Sequence, residues 1–194
     1  MLPLSSAARC WLLGLARRSI EAASRGESPP APQLPADLDT SDREELQRRR
    51  AAFVTLHKQG RLRGCVGRIT ADTPLRLLVP EMAQAAARED IRFDPVRLDE
   101  IPEIQLEISV LSAFFPIRPE EIIPGQHGLF VHRGFQRGLL LPQVASIYHW
   151  DSLRFLSEAC RKAGLPPDAW KRGVTLEAFL ADIIAETETV SASP

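Results

Sequence analysis

A hairpin pattern early in the chain constrains its fold more than any other feature. Two β-rich runs, "AAFVTLHK" (51–58) and "LRGCVGRIT" (62–70), are separated by Gln59-Gly60. Gly60 can adopt the positive φ of a tight turn, so this pattern predicts two antiparallel strands.

Helices and hairpins are mixed along the rest of the chain. Residue spacing predicts helices over 5–23, 73–88 and 150–164, a strand over 101–112 and a second hairpin around 135–136. Pro80 should kink or divide the second helix, and residues 173–186 fit either a strand or a helix. Because no βαβ rhythm appears, we expect an α+β fold, a mainly antiparallel sheet flanked by helices.

Composition narrows the class of protein. The chain has 194 residues and a formal net charge of −1, which argues against a general nucleic-acid-binding protein. Its three cysteines, Cys10, Cys65 and Cys160, form no CxxC pattern, which favours reduced thiols over a disulfide framework. No apolar run approaches the ~20 residues that cross a bilayer, so we expect a soluble, cytoplasmic protein.

The segment "RLRGCVGRI" (61–69) places a cysteine between two glycines. Glycine weakens a strand, so Gly64 and Gly67 predict a bulge, or the close approach of another backbone or of a ligand. A bulge alone explains them, and it does not exclude a ligand.

Cys65 is the candidate nucleophile in this segment. Arg61, Arg63 and Arg68 lie close in sequence, and any that share its face would stabilise a thiolate and lower the thiol pKa from its usual ~8.5. Alternation puts Arg61 and Arg63 on the face of Cys65, unless a bulge at Gly64 breaks the register. The alternative is a buried, inert cysteine.

A nucleophilic cysteine needs a base, and sequence spacing does not select one. The four histidines are His57, His127, His132 and His149. His57 is the candidate, because it lies across the hairpin turn from Cys65. Glu107, in an otherwise apolar strand, is either on a solvated face or a binding-site acid. No metal set or cofactor motif is evident.

Several stretches together resemble the AMMECR1 family. They are "AAFVTLHKQGRLRGCVGRI", "EIQLEISVLS", "HGLFVHRGFQRGLLLPQVA" and "YHWDSLRFLSEACRKAGLPPDAW", and the resemblance runs from about Trp11 to Glu186. It implies a single domain over 1–194, with a larger lobe built from both chain ends and a smaller inserted lobe. The "LRGCVG" motif would then face a cleft between the lobes. The chain looks like the stand-alone prokaryotic form, AmmeMemoRadiSam system protein A, which accompanies a Memo-like protein and a radical-SAM protein.

The chain departs from the family pattern in two places. It reads "DIRFDPV" (90–96) where the family has "DPRFPP", and Pro80 interrupts a helix that is usually continuous. Within the altered stretch, Asp90 and Arg92 still match the family, whereas Ile91 and Asp94 do not.

Three functions remain open from sequence. The first is an enzyme or enzyme component that grips an anionic small molecule or peptide, with Cys65 as catalytic residue. Its substrate-binding residues would be Arg61, Arg63, Gly64, Gly67, Arg68 and Glu107. The second is a non-catalytic adaptor that docks a partner protein. The third is a nucleic-acid-binding regulator, which the charge balance disfavours.

Overall fold

The computed structural model, which describes residues 4–186, contains the first hairpin as predicted. Strands β1 (Arg49–Lys58) and β2 (Arg61–Pro74) pair antiparallel. Gln59 and Gly60 form the turn with φ of 51° and 72°. These positive values match a two-residue hairpin turn, in which glycine is free of the steric penalty on other residues.

The hairpin belongs to the first of two compact units, which among the described residues comprises 4–110 and 182–186. Its other elements are α1 (Ser6–Arg25), α2 (Thr40–Gln47), α3 (Leu75–Arg88), a 3-10 turn (Leu98–Glu103), β3 (Ile104–Leu111) and β8 (Ala181–Ala185). The strands form a sheet in the order β2-β1-β3-β8, called the first sheet below. Apolar residues of α1 and α3 pack against one face of it, so that face holds the core.

Helix α3 is continuous from Leu75 to Arg88, so Pro80 does not divide it, and the alternative that Pro80 kinks the helix stays a prediction. Proline removes one backbone hydrogen bond, the one its N–H would donate four residues back. Pro80 is itself buried, and Leu78 and Met82 beside it belong to the core. The apolar burial of this helix face offsets the missing bond.

The second unit, Leu111–Ala181, carries the other sheet. Its elements are β4 (Phe115–Pro116), β5 (Gly128–Arg133), β6 (Gln136–Leu140), α4 (Pro142–Ile147), α5 (Ser152–Lys162) and β7 (Thr175–Phe179). The strand order is β4-β7-β5-β6. The ambiguous segment 173–186 therefore contains strands, β7 and β8, and no long helix.

Helix α5 begins and ends as its sequence indicates. The Asp151 carboxylate accepts the N–H of Arg154 at 2.7 Å, and Gly164 follows the helix with φ of 70°. On this helix Leu153 is 57% exposed, whereas Phe155 is fully buried. Two residues correspond to roughly 200° around a helix, so the two side chains cannot share its buried face.

The expected α+β fold with antiparallel sheets is confirmed. Within residues 4–186, the structure has no helix with the length and apolarity that a membrane span requires.

Candidate functional site

A bulge in β2 determines the surroundings of Cys65. From the turn outward, His57 pairs with Leu62, but the next residue of β1, Leu56, pairs with Gly64. Arg63 is therefore an extra residue in β2. This single insertion shifts the register of the rest of the hairpin by one residue.

The shift moves Cys65 from one face of the sheet to the other. Without it, the turn would put Cys65 opposite Val54, which is fully buried in the core. With it, Cys65 lies opposite Thr55. Because cross-strand partners share a face and neighbours along a strand alternate, Cys65 lies on the face opposite the core. We call this face, which carries Thr55 and Cys65, the Cys65 face.

Close packing explains why glycine stands at both Gly64 and Gly67. A Cβ at Gly64 would lie 2.3 Å from the backbone oxygen of Ala86 in α3, and one at Gly67 would lie 2.3 Å from the ring of Phe53. Both positions therefore require glycine for close approach within the chain. Two of the explanations that the sequence left open, a bulge and the approach of another backbone, occur together.

The thiol of Cys65 has a hydroxyl neighbour. Thr55 Oγ1 donates a hydrogen bond to Cys65 Sγ at 3.3 Å. Cys65 is half-buried, whereas Thr55 is buried. A hydroxyl that donates to sulfur favours the thiolate over the thiol.

The backbone of Cys65 is held by two residues that follow α3. Cys65 N–H donates to Asp90 Oδ2 at 2.8 Å, and Arg92 Nη2 donates to Cys65 C=O at 3.5 Å. The same guanidinium binds the Asp90 carboxylate at 2.8 and 2.6 Å. Since β2 is an edge strand, this pair satisfies backbone groups that would otherwise face solvent.

Asp90 and Arg92 stabilise each other's charges. Hydrogen bonds from Arg92 lower the pKa of Asp90 to about 2, despite the opposing effect of burial. The same contacts raise the pKa of Arg92, and attraction to Cys65 adds to this. The Asp90 side chain is 6% exposed and that of Arg92 is 48% exposed. The pair is therefore ionised, with part of a guanidinium open to solvent beside Cys65.

The side chain of the bulge residue Arg63 binds other residues of the first unit. Its guanidinium binds both oxygens of Glu100, at 3.1 and 2.9 Å, and donates to the backbone oxygen of Asp94 at 2.9 Å. The hydrogen bonds from Arg63, together with those from the Arg97 backbone N–H and from Lys58, lower the pKa of Glu100 to about 2 despite the opposing effect of burial. Arg63 thus fixes the loop after α3 to the hairpin.

The other two arginines of the motif lie away from the Cys65 face. Arg61 pairs with Lys58, which by alternation points to the opposite face. Arg68 is bound to Glu81 of α3, on the core side. The structure therefore does not bring Arg61 or Arg68 to the thiol, and the guanidinium that contacts Cys65 is that of Arg92. Whether these arginines bind substrate stays a prediction.

His57 and Glu107 share the Cys65 face. Both are half-buried. His57 follows Thr55 by two residues, roughly 7 Å along the strand. In β3, Leu106 and Ile108 point into the core, so Glu107 between them points to the opposite face. The roles of His57 and Glu107 stay predictions.

No sequence pattern pointed to Thr55, and Asp90 and Arg92 have no role that the sequence predicts. Among residues 4–186, no three His, Cys, Asp or Glu side chains are grouped to hold a metal ion.

The chain, an α+β protein with two antiparallel four-stranded sheets, is similar in sequence and fold to known proteins. The AMMECR1 family model matches residues 13–184. A protein of Methanosarcina barkeri is 41% identical over 180 residues, which cover 90% of this chain and 88% of that protein. A protein of Methanothermobacter thermautotrophicus is 42% identical over 175 residues, which cover 87% and 88%.

A solved structure gives the same result. The crystal structure of an uncharacterised protein from Pyrococcus horikoshii matches with a TM-score of 0.84 and 36% identity, over 93% of this chain and 92% of that one. The chain belongs to the AMMECR1 family.

Proposed function

We propose that the chain is an enzyme, or the cysteine-bearing component of one, in which Cys65 is the reacting group. One observation carries this proposal: the bulge at Arg63 turns Cys65 out of the core and sets its thiol against the hydroxyl of Thr55. A cysteine needed only for packing would be served better by the regular register, which directs it into the core.

The surroundings of the thiol suit a nucleophile. The Thr55 hydroxyl and the nearby Arg92 guanidinium both favour a negative charge on sulfur. The Asp90 carboxylate opposes it, but Asp90 is neutralised by Arg92. His57, on the same face, is the residue we propose as base for the thiol proton.

An acidic group is the substrate feature that best fits this arrangement. Arg92 retains exposed N–H groups beside Cys65, and a guanidinium binds carboxylates and phosphates through paired hydrogen bonds. An anionic small molecule or peptide could thus be held next to the thiol. We propose that this reaction takes place together with the Memo-like and radical-SAM proteins that the family resemblance implies.

A second function, that of an adaptor, is supported by one residue. Ile91 is fully exposed between Asp90 and Arg92. This side chain offers a partner protein one apolar contact beside the Asp90–Arg92 charge pair. In this alternative, the Asp90–Arg92 loop contacts the partner and the thiol takes no part.

Labelling with iodoacetamide at pH 7 separates the two functions. If Cys65 is the reacting group, it is alkylated faster than the exposed Cys10, and Cys65→Ser removes that fast label without unfolding the protein. Equal or slower labelling of Cys65 contradicts the proposal. The adaptor function instead requires that Ile91→Asp weakens binding to a purified Memo-like protein while Cys65→Ser leaves it unchanged.

A further inference from the structure

A cleft of about 620 Å³ lies in the first unit, where α1 and α3 end against the loop that follows α3. Arg25, Arg88 and Arg97 line it, together with Asp99 and several apolar residues. We call it the arginine cleft. We propose that it binds a small phosphomonoester, with Arg25 and Arg88 holding the phosphate. This inference is independent of the chemistry proposed for Cys65.

Two of the three guanidiniums are not neutralised by a carboxylate. Asp99 binds Arg97, with Nε–Oδ1 at 3.0 Å. Within the described part of the chain, neither Arg25 nor Arg88 has an ion pair. Most arginines of this protein have an acidic side-chain partner. The cleft thus differs in having two arginines without one among the described residues.

The negative C-terminal ends of two helices offset only part of the positive charge of Arg25 and Arg88. Arg25 and Arg88 are the last residues of α1 and α3, and each helix C-terminus carries roughly half a negative charge. Two such ends offset about one of the two positive charges. A net positive charge of about one therefore remains for a bound anion.

Two hydrogen bonds hold parts of the cleft wall in place. Arg88 Nη1 donates to the backbone oxygen of Ala23 at 3.1 Å, which orients the guanidinium and leaves its other N–H groups free to bind. The lining residue Val96 is held by its N–H, which donates to Ala87 C=O at 2.8 Å. A site with ordered walls loses little entropy on binding.

The size and lining of the cleft indicate the rest of the ligand. Its volume lies within the ~300–1,000 Å³ of small-molecule sites. Pro95 and the partly exposed Leu98 give it an apolar wall beside the arginines. A phosphate attached to a small apolar or aromatic group matches both parts, since guanidinium groups pair with phosphate oxygens.

Calorimetric titration of the full chain with phenyl phosphate and with inorganic phosphate, in a phosphate-free buffer, tests the proposal. We expect phenyl phosphate to bind more tightly, and Arg25→Ala to weaken its binding about tenfold, as the loss of a charge-assisted hydrogen bond implies. Arg88→Lys, which keeps the charge but loses the paired N–H groups, should weaken it several-fold.

Arg18→Ala is the matched control, because Arg18 is exposed on α1 and does not line the cleft. It should leave affinity within about twofold. Thermal unfolding of each variant shows that the fold is retained. No binding at about 10 mM phenyl phosphate, or equal weakening by Arg18→Ala and Arg25→Ala, would overturn the proposal. Equal affinity for inorganic and phenyl phosphate would overturn the assignment of an apolar group.

Discussion

Asp90 accepts the backbone N–H of Cys65 at 2.8 Å, so a residue from the loop after α3 holds the cysteine of β2 in position. The contact spans 25 residues of sequence and reaches an edge strand that would otherwise be open. Arg92 completes it by binding both the Asp90 carboxylate and the Cys65 carbonyl. The geometry of the candidate site therefore depends on this charge pair as well as on the hairpin.

Replacing Asp90 by asparagine should destabilise the protein. The Asp90 side chain is almost fully buried, and its loss of charge leaves Arg92 without its counter-ion. We expect the free energy of unfolding to fall by about 2 kcal/mol, measured by urea denaturation. Asp99→Asn is the matched control, since Asp99 also pairs with an arginine but is exposed; it should change stability by less than ~1 kcal/mol. Equal effects would contradict this account.

The free energy of unfolding should also fall as the pH is lowered. The folded-state pKa values of Asp90 and Glu100 are both about 2, held down mainly by hydrogen bonds from Arg92 and Arg63. In the unfolded chain, carboxyls titrate near ~4, so protonation favours unfolding as the pH falls. The stabilisation is complete above about pH 5 and is lost progressively towards pH 2. Urea midpoints measured from pH 7 to pH 3 should fall less steeply in Asp90→Asn and in Glu100→Gln.

Gly64→Ala should destabilise the protein by about 2 kcal/mol, because the added Cβ would meet the Ala86 backbone oxygen at 2.3 Å. Gly14→Ala provides a control of opposite sign. Gly14 lies inside α1, where the nearest atom to a Cβ is the Arg18 guanidinium at 3.4 Å. Alanine there should stabilise by about 0.5–1 kcal/mol. Thermal unfolding of both variants measures the difference, and a neutral Gly64→Ala would contradict the close packing of β2 on α3.

Thr55→Val should slow alkylation of Cys65 about two- to tenfold at pH 7, because the variant keeps the shape of the side chain but removes the hydroxyl that donates to Sγ. Thr55→Ser keeps the hydroxyl and should retain most of the rate. Peptide mass spectrometry gives both rates, with Cys10 in the same samples as an internal reference. If valine and serine have the same effect, the hydroxyl does not support the thiolate.

The local elements of the fold could be predicted because each depends on nearby residues. The Gln59-Gly60 turn requires positive φ, and the Asp151 cap requires a side-chain oxygen before a helix. Pro80 shows the limit of this reasoning. The effect of a proline on a helix depends on the core that covers it, which the local sequence does not reveal.

The candidate site was less predictable, since it depends on register and on distant contacts. A regular hairpin from the Gln59-Gly60 turn pairs Thr55 with Gly64, and only the extra residue at Arg63 brings Thr55 opposite Cys65. Sequence proximity favoured Arg61, Arg63 and Arg68 as partners of the thiol, but the guanidinium that binds the backbone of Cys65 is that of Arg92, which follows α3. No sequence spacing indicates a contact of that kind.

The pH dependence of Cys65 alkylation tests the central claim most directly. Iodoacetamide rates at the three cysteines would be measured from pH 5 to pH 10 on the folded protein. The exposed Cys10 is the reference, and the buried Cys160, whose pKa is raised by desolvation, should react only on unfolding. We predict that the rate at Cys65 reaches its plateau below about pH 8, at a lower pH than for Cys10. A Cys65 that stays unreactive until the protein unfolds would contradict the claim and would identify it as a structural thiol.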